Sequence, residues 1–363
     1  MKSLPKNPNL EFLNKEAKTL RALHRQGHVS CCEQIRKYDI SFKAKSDAEI
    51  LSGKFTINDA QRIVAREYGF LSWATLKHFV ESLDSPTYHG VADKQSYHQA
   101  IVASYDKRSK NYDNSLWHRD LARQTVDYCP PEPGDAVLDI ATGTGTIAFY
   151  SADLVGHSGL VTGIDISKGM LEKCKEKLKA SALSNLRFIY ADAESLDFPP
   201  NVFDRIYCSS AFFWMSHPLA ALRHWFELLR PNGYLGFNAW PDNSFLWGDG
   251  ARRALRKYGI NFTCHEVTGN VNKTRQLVEL AGFSNVRIHE IKEGRYISVD
   301  DAKGPPLTLN AYAPGQYPHP LANASEEILS LAQKDYEAEV DKLATENGVW
   351  HDMTMYYVYG QKL

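Results

Sequence analysis

Residues 137–149 read VLDIATGTGTIAF, an acid followed by a run of small residues: Asp139, Ala141, Thr142, Gly143 and Gly145. An apolar run that breaks into glycines and resumes as an apolar segment reads as strand, tight turn and helix. Backbone N–H groups at such a helix start can cradle part of a nucleotide-like ligand. Asp165 stands twenty residues after Gly145 and ends the next apolar run, LVTGID. An acid at that place accepts hydrogen bonds from ribose hydroxyls. The pattern G-x-G-x-x-A suits a nicotinamide dinucleotide and S-adenosylmethionine (SAM) alike, and the turn alone does not choose between them.

Three further features separate the two ligands. Asp139 lies inside the strand end, where a dinucleotide site usually has an apolar residue; an acid facing the turn suits a cationic ligand portion, such as an amino group. The segment YADAES puts Asp192 at the end of a third strand, where it can meet an adenine amino group. The order at the C-terminus is a strand, an insertion and a last aromatic strand, MTMYYVYGQK, which fits a sheet finished by an antiparallel pair.

VLDIATGTG, GIDISKGMLE, ADAESLDFPPNVFD and LLRPNGYLGF, in that order, resemble the successive motifs of class I SAM-dependent methyltransferases. The nearest group is the one that includes quinone-biosynthesis and other small-molecule enzymes. The resemblance covers about residues 97–363. Ala141 departs from the pattern at the first glycine of the loop, as in the quinone-type subgroup. The resemblance implies a Rossmann-like α/β fold with a seven-stranded sheet and an antiparallel last strand, preceded here by an N-terminal α-helical domain. It also implies residue roles. Asp139, Gly143 and Gly145, with Ala141 and Thr142 in the same turn, would hold the methionine end. Asp165, with Ile166 beside it, would bind the ribose, and Met170 would pack against adenine. Asp192 and Ala193 would meet the adenine edge, and Ser209 would border the cofactor. The plain alternatives are a capping role for Asp192, a core role for Met170 and a turn-forming role for Ser209 and Ser210.

Methyl transfer is an in-line displacement that needs alignment and exclusion of water, and an O–H or N–H acceptor must also lose a proton. Two segments carry candidates. In YDKRSKNYDNSLWHRDLA, Tyr105 and Tyr112 would cover the cofactor, while Trp117 and His118 would line the entrance. In SSAFFWMSHP, Phe212, Phe213, Trp214 and His217 are candidate acceptor contacts. Aromatic faces there suit an apolar or aromatic acceptor, or a cation. Tyr112, His118 and His217 are the candidate catalytic residues, although His217 could simply cap the helix that starts at Pro218. Tyr312, in LTLNAYAPGQYPHP, is expected to close the substrate pocket.

These residues need a scaffold, and the sequence outlines one. Residues 1–83 read as a helical module, resembling the ankyrin-like helical segments before some bacterial domains; 84–96 is a polar linker; 97–363 is the methyltransferase domain, with cap insertions at about 240–272 and 295–347. The 363 residues are 43% hydrophobic and 23% charged, with a net charge of −1. This is ordinary globular composition without the basic field that nucleic acid demands. No run approaches the roughly 18 apolar residues of a membrane span, and six scattered cysteines without a signal peptide suggest a reduced, cytoplasmic protein. His24, His28, Cys31 and Cys32 match no common zinc spacing, so no metal is expected. The expected partner is a small-molecule substrate, with the helical module offering a surface for docking or homodimerisation. The competing functions are SAM-assisted cyclisation or elimination, and a binding or scaffold role.

Overall fold

The computed structural model describes residues 2–363 except 84, 87, 89–92, 243, 245, 261–265 and 305–323; side chains of 246–249 and 266 are likewise excluded. Five helices open the chain: α1 (Leu10–Arg25), α2 (Ser30–Tyr38), α3 (Asp47–Ser52), α4 (Ile57–Glu67) and α5 (Trp73–Ser82). Ser46, Thr56 and Ser72 each cap the N–H three residues on, and Glu49, Asp59 and Thr75 return the bond. These reciprocal caps fix the starts of α3, α4 and α5 in the local sequence. Leu13, Ala17 and Leu20 are buried on one face of α1, and Gly27, at φ +72°, turns the chain after it.

Two helices follow that periodicity did not reveal: α6 (Lys94–Arg108) and α7 (Leu116–Asp127), joined through a 3-10 turn at Tyr112–Asn114. Then strands and helices alternate as β1 (Ala136–Ile140), α8 (Thr146–Val155), β2 (Leu160–Asp165), α9 (Lys168–Ala180), β3 (Leu186–Tyr190), β4 (Phe203–Cys208), α10 (Pro218–Leu228) and β5 (Leu229–Ala239). The remainder is α11 (Leu246–Arg256), α12 (Val271–Leu280), β6 (Ser284–Ile291), β7 (Gly294–Ile297), α13 (Val299–Lys303), α14 (Glu326–Leu343), β8 (Val349–Asp352) and β9 (Met355–Gln361).

Seven strands form one sheet in the order β3-β2-β1-β4-β5-β9-β6. The first five are parallel, and β9 runs antiparallel to both β5 and β6. This is the seven-stranded sheet that the resemblance implied, with the aromatic last strand inserted between β5 and β6. Six consecutive residues of β9, Met355–Gly360, are buried, because it lies inside the sheet and is covered on both faces. The strand order reverses between β1 and β4, and in such sheets ligands bind at the C-terminal strand ends beside that reversal.

The opening helices pack on α12. The buried Gln276 amide accepts from the N–H of Leu4 at 2.8 Å and donates to the carbonyls of Lys2 and Tyr68. Asn272 donates to Gly69 O, and Arg223 of α10 to Lys6 O. Apolar side chains of α1–α5 belong to the same continuous core as those of the sheet. A separate core, including Ala254, Leu255, Ala332 and Tyr336, ties together α11, α13, α14 and β8. The sequence reading did not give α11, α13 or the antiparallel pair of β7 and β8. Tyr312 lies outside the described residues. No described helix is long and apolar enough to cross a membrane.

Candidate active site

The glycine turn folds as its residue types require. Ala141, Gly143 and Gly145 all have positive φ, at +52°, +56° and +94°. A side chain at Gly145 would also stand 2.8 Å from the Phe149 ring, so glycine is needed there twice over. Ala141 holds a left-handed conformation at a cost of about 1–2 kcal/mol, which glycine would largely avoid.

The C-terminal strand ends open into a cavity. Ala141 and Gly143 line it from the β1 turn, Asp165 and Ile166 from the end of β2, and Asp192 and Ala193 from the segment after β3. Ser209, Ser210 and Trp214 close it from the β4 side, and Tyr105 and Tyr112 from above. Eleven residues singled out in the sequence thus meet around one cavity.

Asp165 is held by two backbone donors: Gly143 N–H to Oδ2 at 2.9 Å and Ser167 N–H to Oδ1 at 2.8 Å. Burial pushes its carboxyl up to about 6, against the opposing pull of those N–H groups; the Asp106 charge adds to the rise. Asp192 both faces the cavity and caps the next turn, accepting from Glu194 N–H at 2.9 Å. Ser209 and Ser210 are set by a buried amide on β5. Asn238 donates to Ser209 Oγ at 3.0 Å and accepts from Ser210 N–H at 2.7 Å.

Other candidates lie off this wall. Asp139 is buried beneath the turn, where its carboxylate accepts the Thr142 hydroxyl at 2.5 Å. Burial pushes the Asp139 carboxyl up to about 7, with the Thr142 bond opposing. Asp139, Thr142 and Gly145 therefore brace the turn from inside. Met170 is fully buried behind the first turn of α9, and Phe212 packs against Phe237 and Trp225 in the core. His217 occupies the N-cap position of α10, but its side chain makes no cap bond. Its backbone N–H donates to Glu194 at 2.8 Å, and its ring meets Tyr88 edge-on.

The remaining aromatic candidates form a closed circuit of ring contacts. Tyr105 neighbours Tyr112, then His118, Trp117, Trp240, Phe213, Trp214 and again Tyr105, with centroids 4.7–6.4 Å apart. The Trp214 indole N–H donates to the Tyr105 hydroxyl at 2.8 Å. The Arg108 guanidinium lies over both tyrosine rings, 4.9 and 5.4 Å from their centroids. His118 contacts Ser115 Oγ through Nδ1 at 2.6 Å. Burial, helped by the Arg108 charge, holds the His118 ring down at about 4, so it is neutral and weakly basic at pH 7.

Comparison with known proteins finds a family match on the parallel strands. Residues 137–233, from β1 into β5, match a family model described as "Methyltransferase domain". The matched stretch holds the glycine turn, Asp165 and Asp192. The chain is 31% identical over 146 residues to aklanonic acid methyltransferase DauC of Streptomyces sp. (strain C5), covering 40% of this chain and 66% of that one. It is 35% identical over 137 residues to the ubiquinone/menaquinone biosynthesis C-methyltransferase UbiE of Ectopseudomonas mendocina (strain ymp), covering 38% and 53%. The chain thus spans about half to two thirds of the length of the curated relatives it matches. Among solved structures, a SAM-dependent methyltransferase from Aquifex aeolicus aligns with a TM-score of 0.42 at 18% identity, over 71% of this chain and 98% of that one.

The cavity also presents residues that the sequence reading missed. His98 and Ile101 of α6 line the cavity beside Tyr105. Their spacing of three and four residues puts all three on one helical face, a signal available once α6 is seen as a helix. Glu194 lines the mouth and accepts from the Ser216 hydroxyl at 2.7 Å. His98, Asp192 and Glu194 are the group of ligand-type side chains that converges among the described residues. Both Glu194 oxygens already hold Ser216 and His217 hydrogen bonds. His24, by contrast, uses Nε2 on the carbonyl of Ile50, 2.7 Å away.

Proposed function

We propose that this chain transfers a methyl group from SAM to a small organic acceptor. The cavity carries this reading, because one wall joins the glycine turn, an acid at the end of β2, an acid after β3 and an aromatic loop after β4. Asp165 would hold the ribose, with Ile166 beside it. Asp192 and Ala193 would meet the adenine edge, and the turn from Ala141 to Gly143 would receive the methionine end. Bound SAM supplies an electrophilic methyl carbon on a sulfonium.

The chain's own residues would do the rest by position. Tyr105 and Tyr112 cover the cavity and keep water out. The aromatic circuit, three of whose members also line the cavity, would hold a flat apolar acceptor beside the methyl donor. Alignment of this kind supplies several kcal/mol of barrier lowering. A neutral His118 can accept a hydrogen bond but is poorly matched to strip a proton at neutral pH. The acceptor is therefore one that is already nucleophilic or readily ionised. The relatives' names, an aklanonic acid methyltransferase and a ubiquinone/menaquinone biosynthesis C-methyltransferase, support the small-molecule class.

The test is calorimetric titration of the full chain with S-adenosylhomocysteine, with NADH in parallel. Micromolar binding of the former alone is expected. Phenols, enols and amines are then screened with SAM for products 14 mass units heavier, the mass of an added CH₂. Binding of NADH alone would make this an oxidoreductase.

A further inference from the structure

The sequence repeats Tyr-Asp at 105–106 and again at 112–113, and the structure separates the two members of each pair. The tyrosines line the cavity, while the aspartates reach across to loops of the sheet. Asp106 Oδ1 accepts from the Ser167 hydroxyl at 2.5 Å and from Gly169 N–H at 2.9 Å. Ser167 N–H in turn donates to Asp165, whose other oxygen receives Gly143 N–H. A side chain at Gly169 would stand 3.2 Å from the Asp106 Cα and carbonyl oxygen, so the end of α6 sits directly on the first turn of α9. Asp113 makes the second tie. It accepts from the Thr144 hydroxyl at 2.5 Å and pairs with Lys177 at 2.8 Å. Lys177 also donates to the Thr144 carbonyl at 3.0 Å.

We propose that Asp106 and Asp113 are paired latches that hold the α6 cover closed over the cavity, with Asp106 also acting on Asp165 through Ser167. They are positioning residues, and the proposal rests on reading the cavity as the cofactor site. One latch grips the loop after β2 and the other grips the glycine turn. Losing either frees one end of the segment that carries both covering tyrosines. Charge adds a second effect. The groups facing Asp165 are Asp106 from α6, Asp139 from β1 and the Cys174 thiol of α9, with Lys177 and Asp113 behind that thiol. Asp106 repels a second negative charge and so favours protonated Asp165. An asparagine at 106 keeps an oxygen acceptor for Ser167 and Gly169 but removes that repulsion.

The experiment is calorimetric titration of the full chain with S-adenosylhomocysteine from pH 5 to 8, for wild type, Asp106→Ala, Asp106→Asn and Asp113→Ala, with melting temperatures alongside. Wild-type affinity should fall as pH drops through about 6, where Asp165 protonates. Each alanine variant should bind about 10-fold more weakly at pH 8, the scale of one charge-assisted hydrogen bond. Asp106→Asn should restore affinity to within about 3-fold and shift the acid fall to lower pH, by the repulsion it removes. Alanine variants that bind as tightly as wild type, whatever their melting temperature, overturn the latches. An asparagine variant whose acid fall coincides with wild type overturns the action on Asp165. Wild type that binds no S-adenosylhomocysteine overturns the cofactor reading itself, a different result from either.

Discussion

The two sides of the cavity are built by different physics. On the sheet side, a few residues close in sequence set backbone N–H groups and carboxylates: Gly143, Asp165 and Ser167 form one short network across two neighbouring parallel strands. On the cover side, the circuit takes rings from α6, the turn before α7, α7 itself, the loop after β4 and the end of β5. The sheet side is directional and polar, and each bond there has one geometry. The cover side is a set of face and edge contacts, each contributing about 0.5–1.5 kcal/mol beyond burial. Removing one member should therefore be severe on the first side and graded on the second.

The severest break is expected at Asp165. Asp165→Ala removes the acceptor of two backbone N–H groups and the acid proposed for the ribose. S-adenosylhomocysteine affinity should fall about 100-fold, from roughly 3 kcal/mol of charge-assisted hydrogen bonding; calorimetry reads it. Affinity within threefold of wild type would mean that the polar side does not carry cofactor binding.

Phe213→Leu keeps bulk but opens the aromatic circuit. With an acceptor in hand, kcat/KM should drop about 3- to 10-fold, the scale of one or two ring contacts. Cofactor affinity should move by less than about twofold, since Phe213 is not on the cavity wall. Equal losses in both quantities would erase the division between the two sides.

His118→Gln sharpens the same division from the catalytic side. A ring held at about 4 is neutral throughout pH 6–8, so it contributes no ionisation to the rate profile in that window. The substitution should lower kcat by no more than about 10-fold and leave the profile's shape between pH 6 and 8 intact. Loss of a rising limb in that window would restore His118 as the base.

The smallest effect concerns Asp139, beneath the polar side. Its carboxyl rises from an ordinary 3.8 to about 7 on burial. A raised folded value means that its stabilising contribution is complete below about pH 4 and is lost as pH climbs through 7. In the ligand-free protein, Asp139→Asn should therefore gain melting temperature relative to wild type between pH 4 and 8. A difference that stays flat across that range would show that the buried carboxyl does not titrate there.

Legibility divided along the same line. The strand-turn-helix unit, Asp165 and Asp192 could be placed because apolar runs and glycines set them locally. The capping boxes at Ser46, Thr56 and Ser72 were equally local. The helix α6 escaped because polar and aromatic residues interleave on both of its faces, one buried against the chain and one lining the cavity; Tyr97 and His98 are neighbours with opposite tasks. Phe212 and Phe213 were indistinguishable in sequence, yet the first is core and the second joins the circuit.

By itself the sequence determined the parallel sheet, the glycine turn and the acids at its strand ends, because those follow from periodicity and from the few residues that tolerate positive φ. It also wrote the helix starts of the opening module, through side chains that reach only three residues. Tertiary structure alone decided that Asp139 braces the turn instead of facing the cavity. It decided too that seven rings from distant segments close into one circuit, that Asp106 and Asp113 meet loops 31–63 residues away, and that the opening helices seat on Gln276. The reason is physical. A turn's conformation is set by its own backbone, whereas burial, ring contacts and long-range hydrogen bonds exist only once distant parts of the chain have been brought together.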